Sequence, residues 1–396
     1  MTDARLQRCA GVDDVRKLAR RTLPLPIFDM IDGGSADEVT LRRNVAAFDE
    51  IELIPRVGRD VSEIETRTRV LGTDLSFPLI LAPTGVQGVI HVDAELAPAR
   101  AASKAGLMYS LSTFATASLE EVADACPGAK MFQLYVLNDQ ATTDELVERA
   151  RAAGYNALCI TIDVPVNSGM ERMARWGINP VGGLPPLDAL LAMARRPAWS
   201  LTQGRLARKR VPDVVKRLAS RGVEIKPDFF DTIIRKDLTW DDIRQIVRRW
   251  DGPVAIKGII SAEDAVRAAD VGATAVIACN HGGLSLDGAP PTISVIAGIS
   301  EAVGNRLEVI QCGGVRRGHS IVKALGLGAT AAMVGRPFLY GLAAAGEEGV
   351  AHVLTNLRRE FETTMRLCGA TALEGLDASI LGSHGTWARQ TLRAAE

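Results

Sequence analysis

From residue 79 onward, short runs of apolar residues alternate with longer segments in which apolar residues recur every three or four positions. A short apolar run between turn residues is typical of a buried strand, and the wider spacing is typical of a helix with one buried face. The sequence therefore predicts a regular alternation of strands and helices. The eight apolar runs are LILAP (79–83), MYSLS (108–112), MFQLYV (131–136), ALCITID (157–163), PVAIKG (253–258), TAVIACN (274–280), LEVIQCGG (307–314) and TAAMVGRP (330–337).

The segments between these runs are typical of helices, because several begin at Ser, Thr or Asp and end at Gly. Eight parallel strands with helices between them most economically close into a (β/α)8 TIM barrel, although an open doubly wound sheet gives a similar pattern strand by strand. The count of eight favours the α/β barrel, which we place at residues 79–346.

Three segments lie outside the repeat, although we treat residues 1–396 as a single domain. Residues 1–78 contain an amphipathic helix and a glycine-containing loop, and we expect them to cap the barrel. Residues 165–238 form an insertion after the fourth strand that is too long for an ordinary connection, so we predict a mobile lid. Residues 347–396 are expected to form a C-terminal helix and tail.

The composition narrows the class of protein further. The chain has 396 residues, 47% of them hydrophobic, and a formal net charge of −1, so it has no global field that would attract nucleic acid. Its six cysteines form no CxxC pair, which favours a reducing compartment and hence the cytoplasm. We find no signal-peptide core and no window of the ~18–20 apolar residues that a membrane span needs, so we expect a soluble protein.

Polar side chains and glycines stand at the predicted end of every strand, where TIM barrels carry their chemistry. Burying a lysine or a histidine there costs several kcal/mol unless it is paired, so a purely structural barrel has little reason to do so. The strand-end residues are Thr84, Ser112 with Thr113, Gln133 with Tyr135, Thr161 with Asp163, Lys257, Asn280 with His281, Gly313 with Gly314, and Gly335 with Arg336.

The last two strand ends, CGGVRRG and VGRP, predict a phosphate site. Gly313 and Gly314 free backbone N–H groups to point at one anion, a helix start after Gly335 adds its dipole, and Arg316 or Arg336 supplies charge-assisted hydrogen bonds. The simpler interpretation is that the glycines only form tight turns.

Lys257 has three interpretations of equal weight on residue chemistry alone. It stabilises negative charge on a reduced flavin, it forms a Schiff base, or it belongs to a buried ion pair.

His281 is predicted to be a general base. Asp163, from the fourth strand end, would orient and charge its imidazole, and the Tyr135 phenol would hold a substrate oxygen. With Lys257, these residues suit removal of a proton from an alcohol or amine while an acceptor takes a hydride. The other four histidines show no ligand spacing, so we predict no metal site.

Taken together, FQLYV, TIDVP, AIKGII, NHGG followed by LDG, GGVRRG and VGRP resemble the FMN-dependent 2-hydroxy-acid oxidases and dehydrogenases that act on glycolate, lactate and mandelate. The likeness runs from about residue 23 to the C-terminal LRREFETTMRLCGATAL, nearly the whole chain. It implies FMN as cofactor and a tetrameric assembly, and it selects the flavin interpretation for Lys257.

The resemblance also implies roles for the strand-end residues. His281 would be the base, supported by Asp163, with Tyr135 near the substrate oxygen. Our own hypothesis for the reaction is direct hydride transfer to flavin N5. Arg316, Gly335 and Arg336 would hold the phosphate. The flavin ring or ribityl chain would contact Thr84, Ser112, Gln133, Thr161 and Lys257.

The chain departs from the family where the substrate carboxylate is held. Two arginines and a tyrosine of the family fall on Met170, Leu284 and Met30, all apolar. The family's aspartate before GGVRRG is Cys312, which affects one hydrogen bond to the ribityl chain, and the aromatic residue after the second strand is Phe114.

Burying a carboxylate against Met and Leu leaves its desolvation uncompensated, whereas a bidentate Arg–carboxylate pair is worth several kcal/mol. The hypothesis is therefore that the site oxidises a larger, less polar alcohol or amine, such as a peptide-derived or carrier-tethered substrate. Two alternatives remain: an ordinary 2-hydroxy-acid enzyme that uses Arg172 or Arg175 for the carboxylate, and a non-redox barrel that binds flavin or phosphate.

The insertion is strongly basic. Residues 195–236 contain twelve Lys or Arg against four Asp or Glu, a balance of +8. This segment is either a solvated basic face, a docking surface for an acidic carrier protein, or a contact with an anionic membrane surface.

Overall fold

The computed structural model describes residues 4–166, 169–178, 185–204, 211–225 and 229–383. Eight parallel strands close into a barrel in which each strand pairs with the next along the chain and the last pairs with the first. This confirms the TIM barrel and excludes the open sheet. The barrel strands are β4 (Leu79–Leu81), β5 (Met108–Ser112), β6 (Lys130–Leu134), β7 (Ala157–Thr161), β8 (Val254–Ile259), β9 (Ala275–Cys279), β10 (Glu308–Cys312) and β11 (Ala331–Val334).

Two small antiparallel pairs lie outside the barrel. They join β1 (Ile51–Leu53) to β12 (Leu381–Ser383), and β2 (Thr68–Val70) to β3 (Thr73–Leu75). The first pair connects the N-terminal segment to the end of the described chain.

The helices around the barrel occupy the predicted positions. They are α5 (Leu96–Lys104), α6 (Leu119–Ala125), α7 (Gln140–Ala152), α13 (Trp240–Trp250), α14 (Ala262–Asp270), α15 (Ile296–Val303), α16 (Gly318–Gly326) and α17 (Arg336–Leu367). The N-terminal segment contributes α1 (Ala4–Gln7), α2 (Val12–Thr22), α3 (Leu25–Asp32) and α4 (Val39–Ala46). The insertion contributes α8 (Glu171–Ala174), α9 (Leu187–Ala194), α10 (Pro197–Trp199), α11 (Asp213–Ser220) and α12 (Phe229–Ile233).

The capping residues explain where several helices begin. At the start of α6 the Ser118 hydroxyl accepts from the Glu121 N–H at 3.2 Å, and the Glu121 carboxylate accepts from the Ser118 N–H at 2.8 Å. Thr239 and Asp242 form the same reciprocal arrangement before α13. Each such cap is worth about 1 kcal/mol, so the polar residues read from the sequence set these boundaries.

The hydrophobic core has two parts, separated by the barrel wall. Outside the wall, the strands pack against the helices, and α2 packs against α17. Inside, alanine, isoleucine, methionine and cysteine side chains fill the barrel. Cys279 and Cys312 end their strands at the carboxyl edge of this inner core, where the polar strand-end residues begin.

Among the described residues, no helix is both long and apolar enough to cross a membrane. The longest, α17, is interrupted at Ala345 and Gly346 by non-helical backbone angles.

Candidate active site

A cavity of about 420 Å³ opens at the carboxyl ends of the barrel strands. It is lined by every residue predicted from the sequence to hold the cofactor or the substrate, whereas Asp163 lies behind His281. The predicted cofactor residues on its wall are Thr84, Ser112, Gln133, Thr161, Lys257, Gly313, Gly314, Arg316, Gly335 and Arg336. The predicted substrate residues there are Met30, Phe114, Met170 and Leu284.

The turn after β9 explains why a histidine stands between an asparagine and two glycines. His281, Gly282 and Gly283 all have positive φ, at 56°, 64° and 82°. A Cβ on Gly283 would approach the backbone nitrogen of Leu41 in α4 to 2.6 Å, so only glycine fits there. This tight turn directs the His281 side chain into the cavity.

Asn280 anchors the same turn to the N-terminal cap. Its buried amide exchanges two hydrogen bonds with the amide of Asn44, at 2.8 and 2.9 Å, and donates to the Pro290 carbonyl at 3.0 Å. Further along, the Asp287 carboxylate accepts from the N–H groups of Val39 and Thr40 at the start of α4. The segment after NHGG therefore holds the cap against the barrel.

His281, Asp163 and Tyr135 form one hydrogen-bonded chain. The His281 Nδ1 atom lies 3.2 Å from Asp163 Oδ1, and its Nε2 atom lies 3.2 Å from the Tyr135 hydroxyl. Burial opposes ionisation of Asp163, but the charges of His281 and Lys257 and the hydrogen bond from His281 outweigh it and lower the pKa of Asp163. An ionised Asp163 favours the tautomer with the proton on Nδ1, which leaves Nε2 as the basic atom facing Tyr135.

A glycine in β8 allows Asp163 to lie this close. Gly258 has a φ of 107°, and a Cβ there would approach the Asp163 Cβ to 2.4 Å. The AIKGII motif therefore has two effects on the site. It contributes the Lys257 side chain, and its Gly258 leaves the space that Asp163 occupies.

Lys257 is buried in the cavity wall, 3% exposed. Burial would lower the pKa of Lys257, but the negative charges of Cys279 and Asp163 hold it well above its usual value. Lys257 is therefore cationic and places positive charge at the floor of the cavity, as the flavin interpretation requires.

The donors of the cavity fit an FMN ring. The Gln133 Oε1 atom accepts from the Ser112 hydroxyl and the Thr113 N–H, so the amide orientation is set and the buried Nε2 has no partner. The buried Thr161 hydroxyl oxygen also has no oxygen or nitrogen partner. Unmade hydrogen bonds of buried groups cost roughly 1–3 kcal/mol each, and a flavin supplies acceptors for both.

The opposite end of the cavity has the features of a phosphate site. Gly313 and Gly314 have φ values of 130° and 78°, and the long helix α17 begins at Arg336 beside them. Three of the five Arg336 N–H groups donate to the carbonyls of Ile31, Gly33 and Gly282. Burial lowers the pKa of Arg336 to about 10, so the group stays charged at neutral pH.

The wall beyond His281 is apolar. Met30, Met170 and Leu284 are joined there by Phe230 from the insertion, whose ring centroid lies 5.3 Å from that of Phe114 and 5.7 Å from that of Tyr135. Phe230 was not predicted from the sequence. The sequence feature that marks it is a pair of aromatic residues in an otherwise basic segment. The permanent cations among the described lining residues are Lys257, Arg316 and Arg336.

The two arginines considered as a replacement clamp do not line this cavity. Arg172 donates to the carboxylates of Asp32 at 3.0 Å and Glu38 at 2.5 Å. Arg175 pairs with Glu171 and is 76% exposed. Acidic residues of the N-terminal cap therefore already neutralise Arg172.

Replacing Arg172 by alanine should therefore change stability rather than substrate binding. Asp32 is 4% exposed and keeps its hydrogen bonds from Arg16 and Tyr340 in this variant. We expect a loss of about 1–3 kcal/mol, or a melting temperature lower by about 1–4 °C, with KM unchanged within about twofold. Thermal unfolding and steady-state kinetics check this, with Arg175→Ala as the matched control. A large rise in KM at unchanged melting temperature would contradict it.

A carboxylate-held base, a buried lysine, unpaired buried donors and a phosphate-type site at the other end of the same cavity fit a flavin-dependent oxidoreductase with a TIM barrel. The family model described as FMN-dependent dehydrogenase matches residues 19–383. The chain belongs to this family, so FMN is its cofactor and the protein is an FMN-dependent oxidoreductase.

Named relatives cover nearly the whole chain. An L-lactate oxidase of Nostoc sp. is 39% identical over 372 residues, 93% of this chain and 96% of its own length. Glycolate oxidase 5 of Oryza sativa subsp. japonica is 39% identical over 363 residues, 92% and 93% of the two chains. Among solved structures, a monotopic membrane protein, (S)-mandelate dehydrogenase, is similar at a TM-score of 0.87 and 34% identity, covering 96% and 100% of the chains.

Proposed function

We propose that the protein oxidises the hydroxyl-bearing carbon of an alcohol larger and less polar than lactate or glycolate, with His281 as the base. One observation carries this proposal: the side chains of Met30, Met170 and Leu284 line the cavity beside His281. A carboxylate desolvated against these groups lacks the charge-assisted bonds that would offset the cost of burying it.

The residues of the chain divide the work of the reaction. FMN, when bound, accepts the electron pair released by the substrate carbon. His281 Nε2 takes the hydroxyl proton, and the ionised Asp163 on Nδ1 stabilises the imidazolium that results. The Tyr135 hydroxyl, 3.2 Å from Nε2, is placed to hold the substrate oxygen beside the base. An amine on a peptide or carrier meets the same requirements.

The names of the relatives favour a second candidate. They include L-lactate oxidase, L-lactate dehydrogenase and glycolate oxidase, so an ordinary 2-hydroxy acid is the competing substrate. It requires a carboxylate partner other than Arg172 and Arg175, which are both engaged elsewhere. The non-redox alternative is disfavoured, because His281, Asp163, Tyr135 and Lys257 are all retained together.

The proposal is tested by anaerobic reduction of the FMN-loaded protein with a panel of alcohols and amines, followed by flavin absorbance. Lactate and glycolate are the matched small acids. Faster bleaching by apolar alcohols or amines than by either acid supports the proposal. Rapid bleaching by lactate or glycolate would establish the second candidate.

We also propose that the insertion docks on an anionic membrane surface. Of the ten large apolar residues that are exposed in the described chain, six lie between positions 166 and 211. Leu187, Leu190 and Leu191 project from one face of α9, and residues 195–236 carry a balance of +8. Exposed leucines beside basic residues suit a lipid interface better than an acidic carrier protein. The monotopic (S)-mandelate dehydrogenase supports this proposal.

Changing Leu187, Leu190 and Leu191 together to glutamine should weaken vesicle binding about tenfold or more, since each loses buried apolar area. Flotation with phosphatidylcholine vesicles, with and without phosphatidylglycerol, measures this at low and high salt. Leu367→Gln, at a 63% exposed site outside the insertion, is the control. Equal flotation of the triple variant, or binding only to an acidic carrier protein, would refute membrane docking.

Location in the cytoplasm and assembly as a tetramer also stay proposals. The absence of disulfides among the described cysteines supports the first. Light scattering of the purified protein tests the second.

A further inference from the structure

Two cysteines lie side by side in the wall of the flavin cavity. Cys279 ends β9 and Cys312 ends β10, and the two residues are direct partners in the register of these parallel strands. Both side chains line the cavity, and they are 1% and 7% exposed. The electron transfer described above uses neither thiol.

The strand geometry brings these thiols within reach of a disulfide. Neighbouring strands lie about 4.8 Å apart, and residues in direct register have nearly the same Cα separation. Disulfides form at Cα separations of roughly 4.4–6.8 Å, and both side chains project from the same face of the sheet. Little backbone movement is therefore needed to join them.

The surroundings favour a thiolate at one of the two positions. A hydrogen bond from Cys312 lowers the pKa of Cys279 to about 6 against the effect of burial, and the positive charge of Lys257 acts in the same direction. The same hydrogen bond raises the pKa of Cys312. The backbone N–H of His281 also donates to the Cys279 sulfur, at 3.3 Å. One nucleophilic thiolate beside one thiol is the arrangement found in redox-active pairs.

We propose that Cys279 and Cys312 form a redox-active dithiol that exchanges an electron pair with the bound FMN. In this step the Cys312 S–H bond breaks, the Cys279 thiolate and the Cys312 sulfur form one S–S bond, and the electron pair reduces the oxidised flavin. The single proton released from Cys312 passes to the reduced flavin. The reverse step returns the pair to the thiols, so each chain stores two electrons beyond those held by its flavin.

Counting electrons tests this proposal directly. The FMN-loaded protein is oxidised with ferricyanide, desalted and titrated anaerobically with dithionite. We expect uptake of four electrons per FMN, against two for the flavin alone. Cys279→Ser and Cys312→Ser should each take up two electrons. Cys159→Ser, in the barrel interior but outside the register pair, should still take up four.

A thiol count gives a second readout that needs no variant. Alkylation of the oxidised, denatured protein should label four of the six cysteines, and peptide mapping should join Cys279 to Cys312. After reduction, all six should be labelled. Uptake of two electrons by the native sequence, six labelled cysteines after oxidation, or a disulfide between any other pair would overturn the proposal, whether or not the serine variants bind FMN.

Discussion

The His281→Ala variant is expected to stay yellow and to lose substrate-driven flavin reduction by roughly 10³-fold, because a general base contributes about 10²–10⁴ to the rate of a proton-coupled step. Colour should be retained, since the donors that face the ring are Gln133 and Thr161 and the cation beside them is Lys257. Loss of the imidazole removes only the group that accepts the hydroxyl proton.

Stopped-flow absorbance under anaerobic conditions measures this rate for the FMN-loaded protein. His352→Ala is the matched control, because that half-buried histidine bonds the Cys9 carbonyl outside the cavity. It should keep the native rate. If His281→Ala were reduced as fast as the native protein, another residue would have to be the base.

The Leu284→Arg variant is expected to gain activity on lactate. A guanidinium at this position, on the cavity wall three residues after His281, offers the substrate carboxylate a charge-assisted hydrogen bond worth about 1.5–3 kcal/mol. This corresponds to a rise of about 10- to 100-fold in the rate of flavin reduction by lactate, with a matching loss on apolar alcohols.

Leu284→Met keeps the volume of the side chain without adding charge, so it is the control and should leave the preference of the native protein unchanged. A failure of Leu284→Arg to accelerate lactate oxidation, in a variant that binds FMN and still reacts with apolar alcohols, would show that charge at this wall does not set the preference.

The barrel and most of the site were predictable from the sequence, for a local reason. A strand buried on both sides reads as a continuous apolar run, and the run in Met108–Ser112 matches the observed strand residue for residue. Residues in the last part of each run, or directly after it, then lie at the carboxyl edge of the barrel, which is why His281, Lys257 and Gln133 could be placed together before any contact was known.

The remaining features depend on contacts between distant parts of the chain. Asp287 caps α4 across 247 residues, and Arg172 pairs with Asp32 across 140 residues. No local pattern predicts such contacts, so the pairing of Arg172 with the N-terminal cap could not be predicted from the sequence. Cys279 was overlooked for a related reason: a cysteine in a buried strand has no visible partner until the register of β9 and β10 is known.

We expect the cavity beside His281 to favour neutral substrates over carboxylates. The most direct measurement compares mandelate with its methyl ester, which differ in charge but share the same reacting carbon. We expect the ester to reduce the flavin of the native protein at least tenfold faster under anaerobic conditions. If mandelate reduces the flavin as fast as the ester or faster, the apolar wall does not disfavour a carboxylate.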